Sequence, residues 1–356
     1  MFPDGSETAA LADALRAGNR AFEARDYADA ARHYAKVLAV DGRCAVAWYN
    51  LGNARWRRGD RAGAIEAYRR AVGEDPARAR AWQNLSTAHL SAGEWAAAAD
   101  AAAKAVSLEP SRAKAWNNLA VARFAQRDPS GAETALRNAV EREPTFAVAW
   151  ANLGRLLGES GRPDAAVAAY ERALALGETD AEVRRGLSKV LVTLGDGSRA
   201  EALLETVVHA EPQALDAWLA LGDVRRGRRA PGPALDAYEA GSAAAEDMAD
   251  DVRARLARRR VHAALELAAD ALRAGDREGF VRAADRLGEA SLDARRARGD
   301  ADADADVPAA VARCLDEART RASVTTTPDW VRDVLGRALV APAAARARGA
   351  VPGSAS

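Results

Sequence analysis

The chain has 356 residues, enough for one or two compact domains or one long array. Its 51 Lys and Arg balance 51 Asp and Glu, so no basic excess marks it as a general polyanion binder, and nucleic acid is not an expected partner. Hydrophobic residues make up 49% of the chain, with alanine dominant, a composition that favours soluble helices.

In chain order, residues 1–10 read as an N-terminal extension. The start, MFPDGSETAALADAL, lacks a basic segment followed by an apolar core, and no later window approaches a membrane span. Cys44 and Cys314 form no disulfide framework and no CxxC motif, which suits a reducing compartment. The expected location is cytoplasmic, with no membrane partner.

From residue 11 a pattern recurs. AWYNLG at 47–52 returns as AWQNLS at 81–86, AWNNLA at 115–120 and AWANLG at 149–154. Trp48, Trp82, Trp116 and Trp150 lie 34 residues apart, and Trp218 follows at twice that interval. A fixed period of this length marks a solenoid or a propeller. With Trp48 at position 4, Leu51 is at 7, Gly52 at 8, Gly59 at 15, Ala64 at 20, Tyr68 at 24, Ala71 at 27 and Pro76 at 32. Positions 4, 7, 8 and 11 share one helix face, and 20, 24 and 27 share a face of a second helix. Glycine near 15 accepts the left-handed backbone that ends the first helix, and proline at 32 cannot continue the second. The unit is two antiparallel helices.

These residues resemble the tetratricopeptide-repeat family. Trp82, Leu85, Ala98, Ala105 and Pro110 repeat the marks, as do Trp116, Leu119, Ala132, Ala139 and Pro144, then Trp150, Leu153, Gly154, Gly161, Ala166, Tyr170 and Ala173. The copy at 181–214 keeps Leu187, Gly195, Ala200 and Pro212 but has Arg184 in place of tryptophan; Trp218, Leu221, Gly222, Ala234 and Tyr238 restore the pattern. The first copy keeps Gly18, Ala30 and Tyr34 with Ala14 for tryptophan. Seven tandem units are expected at 11–44, 45–78, 79–112, 113–146, 147–180, 181–214 and 215–248. The resemblance implies an all-α, right-handed superhelical solenoid with the first helix of each unit on the concave wall.

Positions 2, 5, 6, 9, 12 and 13 then face the groove. Asn50, Asn84, Asn118 and Asn152 all fall at position 6, although asparagine is a poor helix former. A column of carboxamides matches the donors and acceptors of a peptide backbone. Related solenoids hold extended peptides in this way, so the resemblance implies a partner protein bound through an extended segment. Inherited family consensus is the alternative source of the column. Asn53, Tyr49, Trp56, Arg57, Arg80, Lys114, Phe124 and Arg155 complete the expected peptide-binding wall, which is mildly basic and partly aromatic at its middle. The carboxylate clamp of chaperone-binding relatives is matched by Asn53, Asn84 and Lys114, but Tyr49 and Asn118 stand where its two other cations belong.

After 248 the period fails. Residues 249–298 read as a capping hairpin hinged at Gly275-Asp276, its arginines at 253, 255, 258, 259 and 260 forming a solvated helix face. Residues 299–306 read as an Asp/Ala linker, 307–340 as a further helical segment opened by Thr327-Pro328, and 341–356 as a disordered tail. No phosphate loop, dinucleotide fingerprint, nucleophile elbow or HExxH is present, and the four histidines are scattered. The expected function is a non-catalytic protein-interaction scaffold with no cofactor and no metal. A substrate-recruiting arm of an enzyme or complex, or a self-assembly module, is the alternative, and the oligomeric state is open.

Overall fold

The computed structural model describes residues 5–178, 180–244 and 249–296, together with Thr320. The segments expected as linker, further helix and tail, 299–306, 307–340 and 341–356, lie outside the described residues apart from Thr320. All described elements are helices: α1 Gly5–Glu23, α2 Tyr27–Val40, α3 Ala45–Arg57, α4 Arg61–Glu74, α5 Ala79–Ser91, α6 Trp95–Leu108, α7 Ala113–Ala125, α8 Pro129–Arg142, α9 Ala147–Glu159, α10 Pro163–Ala175, α11 Ala181–Thr193, α12 Gly197–Ala210, α13 Leu215–Gly227, α14 Pro231–Ala244, α15 Asp250–Ala274 and α16 Arg277–Arg296. The fold is an all-α helical-repeat solenoid. It divides into two compact units, Met1–Val183 and Arg184–Ser356. Helix α1 starts at Gly5, inside the stretch expected as an extension, because Ser6 to Ala10 contain no helix breaker.

One loop chemistry closes most of the first-unit hairpins. Position 15 takes a left-handed backbone at Gly59, Gly93 and Gly161, and also at Arg25 and Arg127. The next residue caps the second helix: Asp26, Asp60 and Asp128 each accept from the backbone N–H three residues on, at 2.9, 2.9 and 2.8 Å. Where that aspartate is missing at Arg162, Pro163 stands at the first turn with its φ already helical.

Packing inside a pair is a size match. A Cβ added to Gly18, Gly52 or Gly154 would stand 2.6, 2.6 or 2.8 Å from the ring of Tyr34, Tyr68 or Tyr170. In the pairs where position 8 carries Ser86 or Ala120, position 24 shrinks to Ala102 or Leu136. Tyr68, Ala64, Ala71, Leu85 and Ala88 join one buried cluster across two pairs; Tyr34, Ala30, Leu51 and Ala67 join another.

Each tryptophan at position 4 latches a pair to the loop before it. The indole N–H of Trp48 donates to Gly42 O at 2.8 Å, Trp82 to Pro76 O at 2.9 Å, Trp116 to Pro110 O at 2.8 Å and Trp150 to Pro144 O at 3.0 Å. Trp218 does the same with Pro212 O at 2.8 Å in the second unit. The rings are half-buried, so they fill the gap between helices only in part.

In the first unit α5 touches α7 and α7 touches α9, whereas no two consecutive second helices make a comparable contact. The first helices therefore line the tighter wall. In the second unit α14 packs on α15 and α15 on α16. Ala234, Leu235 and Tyr238 share a buried cluster with Leu256, Phe280 and Leu287. Gly275 makes the left-handed turn between α15 and α16 at φ 71°. Arginines 253, 255, 259 and 260 pair with Asp250, Asp251, Asp223 and Asp293, and Arg258 donates to Ala254 O.

Candidate peptide groove

The four position-6 asparagines sit half-buried on α3, α5, α7 and α9, and each carboxamide N–H reaches back to the preceding first helix. Asn50 Nδ2 donates to Asn19 Oδ1 at 3.2 Å, and Asn84 Nδ2 to Asn53 Oδ1 at 2.9 Å. Asn118 Nδ2 donates to Ser86 Oγ and Thr87 Oγ1, both at 2.8 Å. Asn152 Nδ2 donates to Asn117 Oδ1 at 2.9 Å, because position 9 of its predecessor is Val121, which offers no acceptor. The column thus joins neighbouring pairs. No hydrogen bond is made to Oδ1 of Asn50, Asn84, Asn118 or Asn152 among the described residues. What the column leaves unpaired is a row of acceptors, with one N–H each of Asn50 and Asn152, which donate only once.

A second layer supports it. Tyr34 and Tyr68 donate their hydroxyl protons to Asn19 and Asn53 Oδ1, at 2.9 and 2.8 Å. Asn53, expected on the wall, is thereby held from both sides by Tyr68 and Asn84. Tyr49 lies with its ring 6.1 Å from that of Tyr68, and its hydroxyl is 3.3 Å from Asn84 Nδ2. Burial raises the Tyr34 hydroxyl to about 12 and pushes that of Tyr68 higher, so both stay protonated donors at neutral pH.

Two recesses open on this wall. One, of about 340 Å³, is lined by Trp56 and Arg57 with Phe22, Tyr68, Asn84 and Thr87. The Arg61 guanidinium stacks on Trp56 at 3.8 Å from the ring centre. The other, of about 240 Å³, is lined by Asn152 and Arg155 with Tyr170 and three carboxylates, Glu178, Asp180 and Glu182. Arg155 stacks on Phe124 at 4.6 Å and pairs with Glu159 at 3.6 Å. Arg80 and Lys114 are exposed near the starts of α5 and α7, away from either recess.

Most of the expected wall residues therefore fall into connected groups rather than one continuous strip, with Arg80 and Lys114 outside them. Sequence reasoning missed Phe22, Asn19, Thr87 and Asn117. The signal for Asn19 and Asn53 was present: asparagine stands at position 9 only where position 8 is glycine and position 24 tyrosine, in the first two copies. Among the described residues no group of three or more His, Cys, Asp or Glu could hold a metal, and no helix is long and apolar enough to cross a membrane.

The family model of the cilia and flagella-associated protein 70 C-terminal domain matches residues 6–258. A tetratricopeptide-repeat protein from Parabacteroides merdae shares the fold at a TM-score of 0.53 and 14% identity, over 70% of this chain and 98% of that one. The C-terminal part of a repeat protein from Cytophaga hutchinsonii does so at 0.53 and 13%, over 71% and 99%. A MamA protein aligns at 26% identity and a TM-score of 0.44, over 49% of this chain and 94% of its own. No curated protein matches the sequence.

Proposed function

This chain belongs to the tetratricopeptide-repeat family of the cilia and flagella-associated protein 70 C-terminal domain, and we propose that it is a non-catalytic interaction scaffold. Its first unit takes an extended segment of a partner protein along the wall of α3, α5, α7 and α9. The observation that carries this reading is the asparagine column, tied to the preceding helix through its amide nitrogens and with its carbonyl oxygens unpaired among the described residues. An unpaired acceptor in a half-buried wall gains from an incoming backbone N–H, whereas one already bonded gains nothing. The ligand contributes mainly its backbone N–H groups, met by Oδ1 of Asn50, Asn84, Asn118 and Asn152, while the second N–H of Asn50 and of Asn152 is left for its carbonyls. At roughly 0.5–1.5 kcal/mol net per bond, the four supply about 2–6 kcal/mol, which is some 1.5 to 4 decades of affinity.

The test separates the backbone contact from the structural one. A peptide selected on the full chain is resynthesised with single N-methyl groups, each removing one donor. Loss of about tenfold at particular positions, with none at their neighbours, is expected. Asn84→Ala with Asn118→Ala should erase the contrast between positions, with circular dichroism reporting the retained helix. Tolerance of N-methylation at every position would remove the acceptor column from the function.

A further inference from the structure

Three neighbouring pairs on the groove wall carry cations that nothing on the protein neutralises. At positions 2, 5, 6, 9, 12 and 13 of 45–146 the charged residues are Arg57, Arg80 and Lys114, with no carboxylate among those positions. All three are exposed, and none has an ion-pair partner among the described residues. Cations beside this stretch are paired on the protein itself, Arg78 with Asp75, Arg112 with Glu109 and Arg155 with Glu159. What sets the stretch apart is the absence of any carboxylate at its groove positions, and it coincides with the asparagine column and the recess at Trp56.

We propose that the first unit selects an internal acidic stretch of its partner, with one carboxylate side chain anchored in the recess beside Arg57. This rests on the groove reading above and adds the ligand's chemistry to it. The recess combines one free guanidinium with the rings of Phe22 and Trp56, while its amide floor is internally bonded through Asn53, Asn84 and Tyr68. An aspartate or glutamate fits that combination: its methylenes lie against the rings and its carboxylate meets the guanidinium's N–H groups. Arg80 and Lys114 sit one pair apart at the other edge of the wall. Packed helices lie ~10 Å apart and an extended chain advances ~3.3 Å per residue, so carboxylates about three residues apart meet both cations. The ligand's terminus plays no part, because every cation is met by a side chain.

The experiment is selection of a random 12-residue peptide library, displayed with blocked C-termini, on the full chain and in parallel on Arg57→Gln/Lys114→Gln. Both residues are exposed, so the variant keeps its fold, checked by circular dichroism. Enrichment of Asp and Glu on the wild type, lost on the variant, is the expected result. An amidated winner should weaken about tenfold with Arg57→Gln and about threefold with Lys114→Gln, and should weaken further as salt rises. Binders without acidic enrichment, or binding that requires a free C-terminal carboxylate, would overturn the acidic selection and leave the groove reading standing. Absence of any binder sensitive to Asn84→Ala/Asn118→Ala would bring down both.

Discussion

Asn84 shows how far a residue can be read from sequence and where that stops. Its phase was legible, because four asparagines at one helical position place their Cβ atoms on one face. Its hydrogen-bond commitments were not, since they depend on the residue 31 places earlier and on whether a tyrosine holds that residue from below. The left-handed position 15 is the opposite case. Glycine there at 59, 93 and 161 announced the turn, yet Arg127 adopts the same conformation at φ 65° with no side-chain partner among the described residues. A side chain in that region costs roughly 1–2 kcal/mol, partly offset by glycine's greater freedom in the unfolded chain. Arg127→Gly should therefore stabilise the protein by about 0.5–1 kcal/mol, read as a raised urea midpoint at unchanged slope. A lowered midpoint would mean that the arginine makes a contact worth more than its strain.

At the scale of elements, the 34-residue spacing of tryptophans fixed the helix pair, because proline and glycine punctuate it at constant offsets. The indole latch was outside its reach. Periodicity tells which face a ring lies on, but the bond to a loop carbonyl six residues earlier is a property of the folded turn. The recurrence of proline at that carbonyl then has two causes: it ends the preceding helix, and it sets the loop that presents the acceptor. Trp116→Phe keeps an aromatic ring and removes the donor to Pro110 O, so about 1–2 kcal/mol of stability should be lost, from the bond and the smaller ring together. Trp95, 40% exposed at the start of α6, is the control, and Trp95→Phe should fall within about 0.5 kcal/mol of wild type in the same denaturant titration. Equal costs for the two would deny the latch any energetic role.

For the whole molecule, the composition said only that the chain could be one array or two bodies. The division at Val183–Arg184 falls within the copy whose marks are weakest, where Arg184, Gly186 and Leu204 replace tryptophan, asparagine and tyrosine. Both units nevertheless share one liability. Burial raises the hydroxyls of Tyr34 and Tyr170 to about 12 in the first unit and drives those of Tyr68, there, and Tyr238, in the second, higher still. An unfolded tyrosine loses its proton near 10. Below that pH both states are protonated and the stabilisation is fully present. Between about 10 and 12 the unfolded chain sheds protons that the folded chain keeps, so stability falls as pH rises. Thermal midpoints should be level from pH 8 to 9 and drop beyond 10, with the tyrosinate absorbance of these four rings emerging only as helical signal is lost. Tyr34→Phe with Tyr170→Phe should flatten the alkaline slope, a readout that titrating lysines cannot mimic. Ionisation of all six tyrosines near pH 10 with the helices intact would contradict the burial on which the size match between glycine and tyrosine depends.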